Sequence, residues 1–528
     1  MNKQLLLGAE AIAIAGIDAG ISGVYAYPGT PSTEITEYIQ KSPEAENIRS
    51  SWSANEKTAY EAALGMSYSG KRSMVCMKHV GLNVAADAFI NSAITGVNGG
   101  LVVVVADDPS MHSSQNEQDT RVYGKFAMLP VIEPSNQQEA YNLAVYAFDL
   151  SEELKLPVVM RITTRLSHSR AVVVRNNKRE QNILKPETDP KKWVLLPANA
   201  RKRYSGLIEI QKKLTETSEN SGINRIIEGS GSFAVIAFGI AFNYVMEIRE
   251  NNNLDFPVLK ISQYPLPDNI IKPFVEKYDK ILIAEEGYPV YEELLRGYFD
   301  NLKFSGRLDG ILPRTGELSP DHLAKALGRF SDKLNEIPDV VVNRPPELCK
   351  GCSHRDLYEA INLVLENFGS RHVFSDIGCY TLGALPPFET INTCVDMGAS
   401  VTMAKGAADA GLRPAIAVIG DSTFTHSGIT GLLDAVNDKS PVTIIISDNA
   451  TTAMTGGQDS AGTDKLSNIC LGIGVDEDHI RTIIPLKSKL EENISILNEE
   501  FNYNGVSVVI AARECVQVAR RSKKKEKL

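Results

Sequence analysis

Short runs of aliphatic and β-branched residues recur along the chain, and the stretches between them carry apolar positions at helical spacing. Leu101–Ala106 and Ala415–Ile419 are apolar without a break, and Val442–Ile446 is interrupted by Thr443 alone. Such runs predict strands buried on both faces, as in parallel sheets. Val24–Tyr27 and Ser73–Met77 predict further strands near the start, with a helix from about Asn55 to Ser69 between them. Ser232–Phe238, Val258–Ile261 and Lys280–Ala284 repeat the pattern, and Val506–Ala511 closes it. Gly428–Asn437 reads as a crossover helix. The fold class is therefore α/β, with three doubly wound domains.

The domains are expected at 1–180, 230–340 and 341–528. A polar connection with some helix fills 181–229, and Asn343–Pro346 serves as a stiff linker. The first ten residues carry one basic charge, a short apolar patch and then an acid, and read as a first helix rather than a signal peptide. Ser32 or Thr33 is expected to cap the helix after Pro28–Pro31. No internal repeat or low-complexity tract is visible.

Composition narrows the function. A chain of 528 residues, 43% hydrophobic and 23% charged, is expected to be a soluble globular protein. A net charge of −10 argues against nucleic-acid binding, and the basic tail Arg520–Leu528 reads as a frayed terminus. The longest apolar run is too short to span a membrane, so a cytoplasmic protein is expected. Seven cysteines in such a chain do not suggest a disulfide framework, and Cys76, Cys394 and Cys470 read as buried apolar residues.

The chemistry begins at Gly420-Asp421-Ser422, which ends one predicted strand. Asn449 follows Asp421 by 28 positions at the end of the next, with Ala450-Thr451 and then Thr455-Gly-Gly-Gln458 behind it. Both residues leave the carboxyl ends of strands, where doubly wound sheets place ligands. A carboxylate, a side-chain amide and the Thr451 carbonyl suit a hard divalent cation, Mg2+, holding a diphosphate. The spacing resembles the thiamine diphosphate motif; the alternative is an ordinary βαβ unit with polar strand ends. Thiamine also needs a carboxylate on its aminopyrimidine ring to promote loss of the C2 proton. The helix after Ser53 offers Glu56 in its first turn and Glu61 further on, and Glu56 is preferred. Otherwise both are surface charges near a helix start.

Several motifs in order resemble one family over essentially the whole chain. They are Tyr27-Pro-Gly-Thr-Pro-Ser-Thr-Glu34, Asn55-Glu56-Lys57, Lys78-His79-Val-Gly-Leu-Asn83, Asp107 through Asp119, and Cys349-Lys-Gly-Cys352-Ser-His354-Arg355. They look like the large subunits of indolepyruvate:ferredoxin oxidoreductases, in the 2-oxoacid:ferredoxin oxidoreductase superfamily. The resemblance implies a pyrimidine-binding domain at 1–180, a transketolase C-terminal-like domain at 230–340 and a diphosphate-binding domain at 341–528. It implies oxidation of aryl pyruvates to acyl-coenzyme A, with coenzyme A as co-substrate. It places Thr30 on the substrate carboxylate, Glu56 on the aminopyrimidine and Arg121 near a substrate-binding position. His79 is a candidate for substrate or the thiazolium, and His354 for the diphosphate. A small partner subunit, ferredoxin, and a homodimer or heterotetramer are also implied.

Cys349, Cys352, Cys379 and Cys515 match in order and context the four cysteines that hold the cluster beside thiamine in pyruvate:ferredoxin oxidoreductases. A 4Fe-4S cluster suits them, since the electrons released on decarboxylation must leave one at a time. Scattered thiols and a structural zinc site are the alternatives. One departure stands out. No C-x-x-C-x-x-C-x-x-x-C-P run of a ferredoxin-like module is present. A non-oxidative thiamine-dependent decarboxylase that releases an aldehyde is the main rival, and a non-catalytic subunit with a vestigial site is a third reading.

Overall fold

The computed structural model describes residues 2–299, 301–329, 338–342, 346–369 and 372–525. Three of the four linker residues, Asn343–Pro345, and the last three of the basic tail lie outside them. The chain forms two compact units, 1–335 and 336–528.

The larger unit opens with β1 (Asn2–Leu7), α1 (Gly8–Asp18), β2 (Gly23–Ala26), α2 (Thr33–Lys41) and β3 (Arg49–Trp52). Next come α3 (Glu56–Tyr68), β4 (Ser73–Lys78), α4 (His79–Val84), β5 (Leu101–Asp107), β6 (Val131–Ile132), β7 (Val158–Thr163) and β8 (Arg170–Arg175). Then follow β9 (Arg225–Ile227), β10 (Phe233–Phe238), β11 (Val258–Ile261), β12 (Gln263–Tyr264), β13 (Lys280–Ala284) and β14 (Phe304–Ser305). Its main sheet runs β12-β6-β7-β5-β4-β2-β3, parallel except for β12. Every residue of β4, β5 and β7 is buried, as unbroken apolar runs require of central parallel strands. From β2 the chain moves out to the edge strand β3 and returns past β2 to β4. The connections after β2 and β4 thus part company, and the carboxyl ends of these strands form a topological switch point.

A second sheet runs β14-β13-β10-β11-β9, parallel except for β9. Two features join it to the first within this unit. β12 leaves the 230–335 segment to pair with β6. A fully enclosed ion cluster is the other of these two. Arg161 on β7 donates to Asp107 at 2.6 Å and to Glu133. Arg121 donates to Asp119 at 2.6 Å and to Glu285, just past β13, at 2.8 Å. Burial pushes the Glu285 carboxyl up to about 7 against the pull of Arg121. Removing one partner from such a cluster leaves a buried charge alone. Arg161→Met should therefore cost about 3–5 kcal/mol; calorimetry of the full chain checks this, and an unchanged melting profile would refute it.

The smaller unit holds β15 (Val373–Ser375), β16 (Ile416–Gly420), β17 (Thr443–Asp448), β18 (Thr451–Thr452), β19 (Gln458–Asp459), β20 (Ile480–Ile483) and β21 (Ser507–Ala512). Its sheet, β15-β16-β17-β21-β20, is parallel throughout. β18 and β19 pair as a short antiparallel ribbon.

Four expectations are corrected. The first residues form not a helix but β1, because β8, far along the chain, supplies an antiparallel ladder. Ser32 and Thr33 do not cap α2: the Ser32 hydroxyl donates to the Gly29 carbonyl and Thr33 Oγ1 accepts the Gly29 N–H, which folds the Pro28–Pro31 loop on itself. The basic tail is helical over Val516–Lys525, and Arg521 donates to the Gly456 carbonyl at 2.7 Å. Cys394 is exposed, because it lies in a short irregular stretch whose neighbours Asn392, Val395 and Asp396 are exposed as well.

Candidate active site

The site residues fall on both units. In the smaller one Gly420 ends β16, and Asp421 starts a helical path through Asp438 that includes a π turn at Phe424–Gly428. Asp421 is buried, and its Oδ2 has no hydrogen-bond partner among the described residues. Burial pushes its carboxyl up to about 7; a hydrogen bond from Ser460 opposes this. A buried orphan carboxylate oxygen is costly, and a cation beside it removes the cost. Asn449 follows β17, and its Oδ1 accepts the Thr451 N–H at 3.1 Å. Thr451 is tied down again by its hydroxyl, which donates to the Gln458 carbonyl at 2.9 Å. Ser422 Oγ lies 3.0 Å from Thr452 Oγ1. One orphan carboxylate with an amide and a carbonyl nearby is the donor chemistry of a Mg2+ site that leaves positions for phosphate and water.

Asp376, after β15, went unrecognised in the sequence, where the same segment drew notice for Cys379. Its Oδ2 accepts the Ser400 hydroxyl at 2.6 Å and the N–H groups of Gly398 and Ser400, and so anchors the start of the helix Ala399–Asp409. Tyr380 donates to its other oxygen. Burial pushes the Asp376 carboxyl up to about 6.

Cys349 and Cys352, Cys379 and Cys515, from three separate stretches of the chain, line one cavity of about 140 Å³, and Asn449 and His354 share its wall. Burial pushes the Cys379 thiol up to about 12, and the other three cysteines add to that. His354 is buried with Nδ1 3.0 Å from Cys352 Sγ and Nε2 without a partner among the described residues; burial holds it down at about 4, a neutral ring. Among the described residues no three His, Cys, Asp or Glu side chains gather as one ion would need.

In the larger unit Glu56 is the first residue of α3, behind the cap Asn55, whose Oδ1 accepts the Thr58 N–H at 2.9 Å. Glu56 is 4% exposed, whereas Glu61 lies on the surface in an ion pair with Lys57. Gly81 on α4 makes room for it: a Cβ there would fall 2.6 Å from Glu56 Cγ. Thr30 lies half-buried in the loop after β2, and its carbonyl accepts the Ser113 hydroxyl at 3.1 Å. His79, buried at the start of α4, donates from Nε2 to the Asn116 carbonyl at 3.1 Å and leaves Nδ1 unpaired among the described residues. Arg121 differs from its expected substrate role. All three of its side-chain nitrogens are engaged in the ion cluster and it is fully enclosed, so it braces the fold.

Comparison with known proteins now decides the family. The model described as "Pyruvate flavodoxin/ferredoxin oxidoreductase, thiamine diP-bdg" matches 14–216, and "Thiamine pyrophosphate enzyme, C-terminal TPP binding domain" matches 376–472. "Indolepyruvate oxidoreductase subunit IorA" of Archaeoglobus fulgidus is 40% identical over 99% of this chain and 88% of its own length. The chain belongs to the IorA family. The same subunit of Methanothermobacter thermautotrophicus is 38% identical over 98% of this chain and 87% of its own length. A 2-oxoglutarate:ferredoxin oxidoreductase from Magnetococcus marinus covers 62% of this chain and 65% of its own, with a TM-score of 0.51 at 15% identity, a likeness of fold. As an IorA-family member the chain is an oxidoreductase subunit of the thiamine diphosphate class. Glu56 and Thr30 lie inside the first match, and Asp421, Asn449 and Thr451 inside the second. No described helix is long and apolar enough to cross a membrane.

Proposed function

We propose that the chain catalyses oxidative decarboxylation of an aryl 2-oxoacid, of the indolepyruvate or phenylpyruvate type. One 2-oxoacid and one coenzyme A give carbon dioxide, the acyl-coenzyme A, a proton and two electrons. Asp421, Asn449 and the Thr451 carbonyl hold Mg2+ for the diphosphate, with Gly420 and Ser422 alongside and His354 nearby. Bound thiamine diphosphate supplies the carbon centre that stabilises the charge left by decarboxylation. Glu56 holds the aminopyrimidine, and Thr30 and His79 face the substrate. Residues 1–180 then act as the pyrimidine-binding domain, 230–340 as the transketolase C-terminal-like domain and 341–528 as the diphosphate-binding domain. The relatives are named as a subunit, which supports a partner subunit; ferredoxin or that partner takes the electrons, in a homodimer or heterotetramer.

The observation that carries the oxidative reading is the cavity ringed by Cys349, Cys352, Cys379 and Cys515. Four thiols on one cavity support a 4Fe-4S cluster, a larger guest than a single zinc, which would need four ligands about 2.3 Å from one centre. Iron and acid-labile sulfide on protein purified without oxygen test this, with a paramagnetic resonance spectrum after dithionite. About four of each per chain is expected for such a cluster, with the signal lost in Cys349→Ser. Folded, thiamine-binding protein without iron would instead favour the non-oxidative decarboxylase, seen as aldehyde formed without coenzyme A.

A further inference from the structure

Lys78 takes no part in the roles above, yet it ends a strand at the larger unit's topological switch point. It is the last residue of β4, facing the switch point that β4 shares with β2. It is 8% exposed. Its stem fills the space a side chain at Gly29 would need, with Cδ 3.2 Å from that would-be Cβ, and Gly29 is the residue before Thr30. Its Nζ donates to the Ser113 carbonyl at 2.8 Å, and Ser113 Oγ reaches the Thr30 carbonyl. Lys78 therefore stands between the Thr30 loop and the 108–119 loop.

Among the described residues no carboxylate lies within ion-pair distance of this ammonium. An ammonium carries three donors, and its one hydrogen bond among the described residues is to a neutral carbonyl. Asp108 and Glu56 face it electrostatically, and His79 follows it in the chain. Asp108, however, is satisfied without it: Ser113 N–H, Ser114 Oγ and Thr164 Oγ1 donate to its carboxylate at 2.7 to 2.8 Å. Burying a cation with so little direct compensation is unfavourable unless an anion arrives. Arg121 cannot be the receiving cation, since Asp119 and Glu285 hold it.

We propose that Lys78 binds the carboxylate of the 2-oxoacid in the crevice between β2 and β4, exchanging its contact with the Ser113 carbonyl for the substrate. The inference rests on the functional reading above and adds a residue to it. Burial pulls the Lys78 ammonium down to about 8, against Asp108 and Glu56, which favour the charged form. The cationic fraction thus falls as pH rises through that value, and substrate capture falls with it.

The test uses the full complex with thiamine diphosphate and Mg2+, phenylpyruvate or indole-3-pyruvate as substrate, and a viologen dye as acceptor. Lys78→Met should raise KM roughly 30-fold or more, the usual cost of removing one member of a buried charge pair, while Lys78→Arg stays within a few-fold. The dissociation constant of the unreactive acid 3-phenylpropionate, by calorimetry, should rise in parallel, and thiamine diphosphate affinity should hold. Native kcat/KM should decline above pH about 8, the value to which burial brings Lys78, and that decline should vanish in Lys78→Arg. Unchanged KM and 3-phenylpropionate affinity in Lys78→Met, or losses that merely follow thiamine affinity, would overturn the proposal and leave Lys78 as a brace for the Ser113 loop. Should Lys78→Met not fold, an alkaline decline that persists in Lys78→Arg overturns it equally. Native protein that turns over no 2-oxoacid would strike the functional reading itself, whereas an active native enzyme with an indifferent Lys78→Met strikes this inference alone.

Discussion

Asp421→Asn should weaken thiamine diphosphate and Mg2+ binding by about 100-fold or more, the cost of losing a buried charged ligand, and turnover should fall with it. The same substitution should have the opposite effect on the protein without cofactor. There the native carboxylate is buried with Oδ2 unpartnered among the described residues, and a neutral amide is cheaper to enclose. The cofactor-free Asp421→Asn chain should therefore melt at the native temperature or above it, while the upward shift that ligands give the native protein disappears. Scanning calorimetry with and without thiamine diphosphate and Mg2+ reads both effects. A variant that melts lower without ligand and still gains the full ligand shift would mean that Asp421 is structural and that the cation sits elsewhere.

Glu56→Gln should lower turnover by roughly 10²- to 10⁴-fold, the range lost with a general acid-base group, and leave thiamine diphosphate affinity nearly unchanged. Glutamine matches the shape of glutamate, so the contact against Gly81 survives. What is lost is the charge. The specific reading is exchange of the C2 proton of bound thiamine for deuterium, followed by magnetic resonance in the absence of any 2-oxoacid. It should slow by the same factor as turnover. Glu61→Gln, on the exposed side of the same helix in its pair with Lys57, is the control and should match the native protein. Equal exchange rates in native and Glu56→Gln protein would remove Glu56 from the chemistry.

Much of this architecture is legible in the amino-acid sequence. The strands at Val258–Ile261 and Lys280–Ala284 lie where the apolar runs place them, and those around Leu101 and Ile416 differ by a residue at their ends. These runs are buried on both faces, so hydrophobicity alone identifies them. Asp421 and Asn449 were legible for a related reason: a parallel strand has a defined carboxyl end, and their spacing fits one strand-helix-strand unit. Residues 2–7 depart from the expected first helix, which starts only at Gly8, because their pattern is neutral between helix and strand, and the partner that decides it, β8, lies 163 to 173 positions away in register. Ser32 and Thr33 misled because a hydroxyl can cap a helix or bond its own loop, and loop geometry chose Gly29.

By itself, then, the sequence determined the α/β class, the strands, the strand-end motif and the family resemblance, all of which rest on local pattern and spacing. Tertiary structure alone decided which charges are enclosed. It buried Glu56 and exposed Glu61 on one helix, and it turned Arg121 into a brace through Glu285, 164 positions away. It brought four cysteines to one cavity and gave the buried Lys78 a main-chain carbonyl as its hydrogen-bond partner. The reason is physical. Solvation and electrostatic pairing depend on everything that packs around a group, and for these residues most of that packing comes from segments far off in the chain.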